Sequence, residues 1–153
     1  MRIRIVAVGR QKGGPEAALT QDYLARFDAA GRTLGLGPAA VTEVEDRKRV
    51  GESGLLLKAA PKDAWLVALD ERGRTMSSRD FATLLAAKRD EGRREAAFLI
   101  GGADGHDDAL RGRADLLLSF GEMVWPHMLA RAMLAEQLYR AASILAGAPY
   151  HRD

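Results

Sequence analysis

Three short apolar runs restrict the fold more than any other feature: Trp65–Leu69 (WLVAL), Ala96–Ile100 (AAFLI) and Leu116–Phe120 (LLLSF). A strand with one face in water alternates apolar and polar residues, whereas these runs are nearly continuous, so both faces must be covered. Two weaker runs, Ile3–Val8 and Ala39–Val44, extend the set to five, with the others spanning Ala64–Leu69, Ala96–Ile100 and Asp115–Phe120. Helical patterns lie between them at Pro15–Ala29, Val50–Ala60 and Ser78–Glu91, then briefly after Asp107 and finally over Met128–Ala146. Strands alternating with helices predict an α/β fold, a mainly parallel sheet flanked by helices with the three apolar runs at its centre. Ser77 or Ser78 is placed to cap the third helix, whose apolar face is Phe81, Leu84 and Leu85. Gly147 followed by Pro149 stops the last helix, and the segment Gly31–Pro38 reads as a loop. With no repeat and no linker, residues 1–153 are expected to form one domain.

The run FLIGGADGHDD, residues 98–108, ends a buried strand on a glycine-rich turn. Its glycines, Gly101, Gly102 and Gly105, match neither the dinucleotide spacing nor a phosphate loop. Asp104, Asp107 and Asp108 follow, and carboxylates repel a phosphate from a helix start. The turn therefore argues against a phosphate ligand. A tight turn whose acidic residues cap the next helix is the plain alternative.

Other ligand classes fall away on composition. The 153 residues, 47% hydrophobic and 29% charged, are those of a globular chain, and no cysteine is present for disulfides or thiolate sites. His106, His127 and His151 are too dispersed for zinc-ligand spacing, so no metal is expected. The N-terminus lacks the separated basic and apolar regions of a signal peptide, and no apolar run reaches the roughly 18 residues of a membrane span. A cytoplasmic protein with no membrane partner is the expectation. A net charge of +2 is too mild to claim a nucleic-acid partner by itself.

Ligands of open parallel sheets bind beyond the carboxyl ends of strands. Three segments occupy that place: Leu69–Gly73, Gly101–Gly105 and Phe120–His127. In the last, Phe120, Met123, Val124 and Trp125 make either a loop packed on the core or an apolar wall for a purine. Pro126 suits a first helical turn, which puts His127 at a helix start, where the dipole favours neutral imidazole, with Arg131 on the same face. That pairing suits proton handling or anion positioning. Glu136 and Arg140 read as an ordinary helix pair. Tyr150-His151-Arg152 places aromatic, imidazole and guanidinium groups side by side, able to stack on an unpaired base and hold its phosphate.

Taken together, FLIGGADG, LLLSFGEMVWPHMLARAMLAEQLYRAASILAGAPYHRD, the opening IVAVG and the central LDERGRTMSS resemble the ribosomal RNA large-subunit methyltransferase H (RlmH) family of the SPOUT class, over essentially the whole chain. The resemblance implies a C-terminal trefoil knot holding S-adenosyl-L-methionine, and a homodimer whose active site forms between subunits. It implies N3-methylation of a pseudouridine in helix 69 of the large-subunit (23S) rRNA, on the assembled 70S ribosome. Cofactor positions carried over are Leu69, Gly101, Phe120, Gly121, Glu122, Met123, Val124 and Trp125. Substrate-handling positions are His127, Arg131, Tyr150, His151 and Arg152. Val124 stands where many relatives have threonine, removing a hydroxyl from the cofactor loop, and Met128 where some have proline. Direct transfer would follow, with an arginine stabilising the imide anion and His127 or His151 taking its proton. Gly101 and Gly102 would let backbone approach a phosphate-free, cationic donor, which Asp104 would face unless it caps the helix. The competing function is a non-catalytic, flavodoxin-like dimer that binds RNA or a nucleotide.

Overall fold

The computed structural model describes residues 1–153. Five strands, β1 (Arg2–Val8), β2 (Ala39–Val44), β3 (Trp65–Arg74), β4 (Glu95–Ile100) and β5 (Leu116–Leu118), form one sheet in the order β2-β1-β4-β3-β5. Every pair is parallel. The connecting helices are α1 (Pro15–Gly31), α2 (Glu52–Ala59), α3 (Ser78–Asp90) and α4 (Asp108–Arg113), and α5 (His127–Leu145) closes the fold. The segment expected as a loop from Gly31 contains a short 3-10 turn, Arg32–Leu34.

Both faces of the sheet are covered, as the continuous apolar runs require. Ile3, Ile5, Trp65, Val67, Phe98 and Ile100 meet Leu24 and Phe27 of α1, Phe81 and Leu85 of α3, and Leu134 and Leu138 of α5. Val6, Val8, Ala68, Ala97 and Leu99 meet Leu56 of α2 and Leu110 of α4 on the opposite face. Ser77 caps α3 by accepting from the Asp80 N–H at 3.0 Å, and Ser78 donates instead to Gln137 on α5. Gly147, at φ 68°, ends α5 in the left-handed conformation expected of a helix-terminating glycine. No helix is long and apolar enough to cross a membrane.

The expected centre of the sheet needs one correction. β5 is an edge strand, and the inner position belongs to β1, between β2 and β4. β1 tolerates its arginines because both lie near its amino end: Arg2 reaches Glu95 at 2.7 Å and Arg4 reaches Thr42, while Ile5 to Val8 are buried. Leu116–Leu118 is apolar at an edge because the cores on the two faces extend under it.

β3 also runs five residues past its expected end at Leu69. Val67–Leu69 align with Leu116–Leu118, and the register then slips so that Arg74 pairs with Leu118. Asp70–Gly73 thus sit as a bulged segment beside β5. A Cβ at Gly73 would lie 2.6 Å from the Leu117 carbonyl group, so no other residue fits without separating the two strands.

Candidate active site

The carboxyl ends of β3 and β4 and the chain leaving β5 enclose a cavity of about 580 Å³. Leu69, Gly101, Phe120, Gly121, Met123, Val124 and Trp125 line it, together with His127; of the cofactor positions inferred from sequence, Glu122 alone lies outside. Its size is that of a pocket for a small organic ligand.

The glycine turn is shaped by the protein itself as much as by any ligand. A Cβ at Gly101 would come within 3.1 Å of the Gly105 backbone, and one at Gly102 within 2.8 Å of the Glu52 carboxylate. The Gly105 N–H closes the turn on the Gly102 carbonyl at 3.0 Å. Of the acidic residues, Asp107 caps α4 by accepting from the Leu110 N–H, whereas Asp104 stays exposed on the cavity wall. The opening conflict between this turn and a phosphate therefore stands.

Beneath the turn lie groups to which the sequence assigns no role. Asp70 has a side chain only 3% exposed, and it takes the Arg111 Nε at 2.6 Å and the Arg72 N–H at 2.9 Å. Burial opposes its ionisation, but these donors outweigh it and hold the carboxyl below the ordinary aspartate value. His106 is buried next to this pair. Burial pushes its imidazole below the usual value, against Asp70 and the carbonyls of Leu69 and Leu99, which favour the cation. Those carbonyls do not complete hydrogen bonds, leaving both ring nitrogens without partners. Ser119 fastens the loop: its hydroxyl lies 3.2 Å from the Glu71 carbonyl and 3.0 Å from that of Gly121, and it accepts from the Gly121 N–H.

The apolar loop is not packed on the core. Met123, Val124 and Trp125 are 75%, 80% and 41% exposed, while Phe120 alone is half-buried against the main cluster. Pro126 precedes the helix as its cap rather than occupying its first turn, and its carbonyl accepts from the Ala130 N–H at 2.9 Å. His127 becomes the first helical residue, at the rim of the cavity and close to Gly9, whose Cβ would lie 3.7 Å from Nε2.

Arg131 does not share that rim. Its side chain is buried, donating to Glu43 at 2.8 Å and to the carbonyls of Val8 and Gly9 at 2.8 and 2.6 Å. It thereby ties the carboxyl end of β1 to the first turns of α5. Burial opposes ionisation of Glu43, yet Arg131 and the Gln11 N–H keep its carboxyl below the ordinary value.

Tyr150, His151 and Arg152 line no part of this cavity. The Tyr150 ring stands 4.6 Å from that of Tyr139, with the Arg140 guanidinium 4.8 Å from its centroid. Glu136 is more than half of a helix pair: it takes Arg140 and also the Tyr150 hydroxyl at 3.0 Å. Burial, then Tyr23 and Glu136, push the Tyr150 phenol up, so it remains a donor. Arg140 reaches the His151 Nδ1 at 3.1 Å, while Arg152 is exposed. A second cavity, about 620 Å³, lies between Glu136 and the first, and shares Leu118, Phe120 and Gly121 with it as a common wall. No group of three or more histidine, aspartate or glutamate side chains is placed to hold a metal ion.

Known proteins match this arrangement along the full chain. The family model described as "Predicted SPOUT methyltransferase" matches residues 1–151. The ribosomal RNA large subunit methyltransferase H of Dinoroseobacter shibae is 64% identical over 155 residues, covering 99% of each chain. That of Roseobacter denitrificans is 64% identical over 156 residues and covers both chains completely. Among solved structures, a probable methylase family protein from Haemophilus influenzae Rd KW20 superposes with a TM-score of 0.52 at 17% identity, over 99% of this chain and 70% of that one, which supports the fold. A parallel sheet with its cavity at the β3 and β4 ends, and sequence identity above half across the entire length, place this chain in the ribosomal RNA large subunit methyltransferase H family of SPOUT methyltransferases.

Proposed function

We propose that the protein is an S-adenosyl-L-methionine-dependent methyltransferase that modifies N3 of a pseudouridine in helix 69 of 23S rRNA, acting in the cytoplasm on the assembled 70S ribosome. The observation that carries this reading is the convergence of the inferred cofactor residues and His127 on one cavity. The cavity suits the cofactor: Leu69, Ile100, Phe120 and Trp125 offer apolar surface to a purine, and the glycine turn offers bare backbone to its polar edge. Asp104, exposed on the wall, adds negative charge suited to a cation and opposed to a phosphate, while the Asp70 charge is taken by Arg111. When bound, S-adenosyl-L-methionine supplies an electrophilic methyl group on a positively charged sulfur.

The chain's own residues would then position the base and manage its proton. Met123, Val124 and Trp125 cover the ligand, and the missing hydroxyl at Val124 leaves recognition there to backbone groups. His127 stands at the rim, on the helix that Arg131 ties to the end of β1, and either His127 or His151 takes the proton. Tyr150 and His151 approach the target base from a cluster preassembled against Glu136 and Arg140 of α5, with Arg152 exposed beside them. Because that cluster does not reach the cavity of its own chain, the reading includes a homodimer in which the tail of one subunit serves the cavity of the other. A trefoil knot formed where β5 and the following loop pass the Asp70–Gly73 segment completes the picture, in keeping with the backbone contact at Gly73.

The test is incubation of 70S particles with protein and S-adenosyl-L-methionine, followed by mass spectrometry of the 23S rRNA. One added methyl on a helix 69 pseudouridine is expected. Cofactor binding without methyl transfer would favour a non-catalytic RNA-binding dimer. No heat of cofactor binding at up to roughly 100 μM, equivalent to about −5.5 kcal/mol, would remove the cofactor assignment.

A further inference from the structure

The geometry points to Asp153 as a positioning residue that sets the orientation and tautomer of His151, a role that rests on the methyltransferase reading above. Four contacts carry the inference. The Asp153 carboxylate takes Arg79 of α3 through Nε at 2.7 Å and a second nitrogen at 2.6 Å, and Oδ1 lies 3.1 Å from His151 Nε2. On the other side of the ring, the Arg140 guanidinium lies 3.1 Å from Nδ1.

A guanidinium has only N–H groups to offer, so Nδ1 must be the accepting nitrogen. The ring proton therefore sits on Nε2, directed at Asp153. Arg79, then His151, hold the Asp153 carboxyl down at about 2, so the acceptor stays ionised at any useful pH. The groups facing the ring are thus Arg140 on α5, Asp153 in the tail, and behind them Glu136 and Arg79. The His151 side chain is 13% exposed, which limits its freedom to turn.

The arrangement has a chemical consequence. With Nε2 already protonated, any proton His151 accepts must land on Nδ1. In the proposed reaction Arg140 swings from Nδ1 toward the imide, the N3 proton moves to the freed Nδ1, and the N3 electron pair forms the new bond to the methyl carbon as the methyl–sulfur bond breaks, its electrons leaving on a neutral thioether. His151 becomes an imidazolium flanked by the Asp153 carboxylate, and Arg140, now beside the imide, stabilises the anion that the proton leaves behind. Asp153 touches no reacting atom; it acts through the ring.

Two measurements on the full-length protein test this. Long-range 1H–15N NMR of the His151 ring should show the Nε2–H tautomer, and Asp153→Ala should mix the tautomers. The same variant should lower kcat on 70S ribosomes about tenfold or more, with KM for the methyl donor unchanged, below the roughly 10²–10⁴-fold that proton transfer itself supplies. The double variant Arg79→Asp with Asp153→Arg rebuilds an ion pair between α3 and the tail without a carboxylate at position 153. It should remain as slow as Asp153→Ala. An Nδ1–H tautomer in the unaltered protein, a ring spectrum indifferent to Asp153→Ala, or full activity in the double variant would each overturn the role of Asp153. Absence of methyl transfer by the unaltered protein, with the ring spectrum as expected, would instead overturn the methyltransferase reading and the role that rests on it.

Discussion

The cavity at the strand ends and the cluster around the tail solve opposite problems. The cavity presents bare backbone at its glycine turn, exposed apolar side chains on the 123–125 loop, and a buried histidine with neither nitrogen paired. The tail cluster presents charged and aromatic side chains that are already satisfied by one another: Glu136 with Arg140 and Tyr150, Arg140 with His151, and Asp153 with Arg79. Surface suited to a ligand is held in place by strands and by the ion pair Asp70–Arg111, whereas the tail groups suited to proton and charge handling are pre-oriented by side chains of α3 and α5. The contrast teaches that binding and chemistry are separable here. A substitution in one region should leave the other measurable.

The largest effect should come from Gly73→Val, which drives a side chain into the Leu117 backbone and parts β3 from β5. A loss of about 3 kcal/mol in urea denaturation is expected, with cofactor binding abolished in calorimetry. Asp70→Asn comes next, because it leaves Arg111 without its ionised partner under the glycine turn, at a cost on the order of 2–3 kcal/mol at neutral pH. The pH dependence has a definite sign. The folded carboxyl ionises more readily than the unfolded one, so the difference between the proteins is fully present above the ordinary value of 3.8 and vanishes as pH falls through the lower folded value. Denaturation midpoints at pH 7 and pH 3 measure it.

Glu136→Gln should act on the tail alone. Removing the charge that holds Arg140 and Tyr150 is expected to slow methylation about tenfold, equivalent to about 1.4 kcal/mol, with cofactor affinity unaltered. A matching loss of affinity would show that the two regions are not independent. The smallest effect is expected for Met123→Ser. Its side chain is largely exposed, so stability should change by less than about 0.5 kcal/mol, while calorimetry should record weaker cofactor binding.

Much of this was legible in the chain. Continuous apolar runs announced a covered parallel sheet, Ser77 and Gly147 marked helix ends, and the residues just beyond each strand located the cavity. Asp70 stood in one of those segments, first after Leu69, and its position was the signal that could have singled it out. Other features left no trace in sequence. Glu43 and Arg131 are 88 residues apart, and nothing local to either pairs them. The helical spacing of His127 and Arg131 suggested one shared face, yet the acceptors that bury Arg131 come from β2 and the end of β1 rather than from α5. Glu136 and Arg140 looked complete as a helix pair because the third member, Tyr150, arrives from beyond the helix end.

By itself, the sequence determined the fold class and the segments that line the cavity, since these follow from periodicity and glycine placement, which are local properties of the chain, and its motifs carried the resemblance to the family. Tertiary structure alone decided that β1 rather than β5 lies inside the sheet, that Arg131 faces inward as a strut, and that the tail is held by α3 and α5 away from its own cavity. These depend on which segments meet in space. Charged side chains settle wherever packing supplies a partner to offset their desolvation, and that partner is not encoded at any fixed spacing.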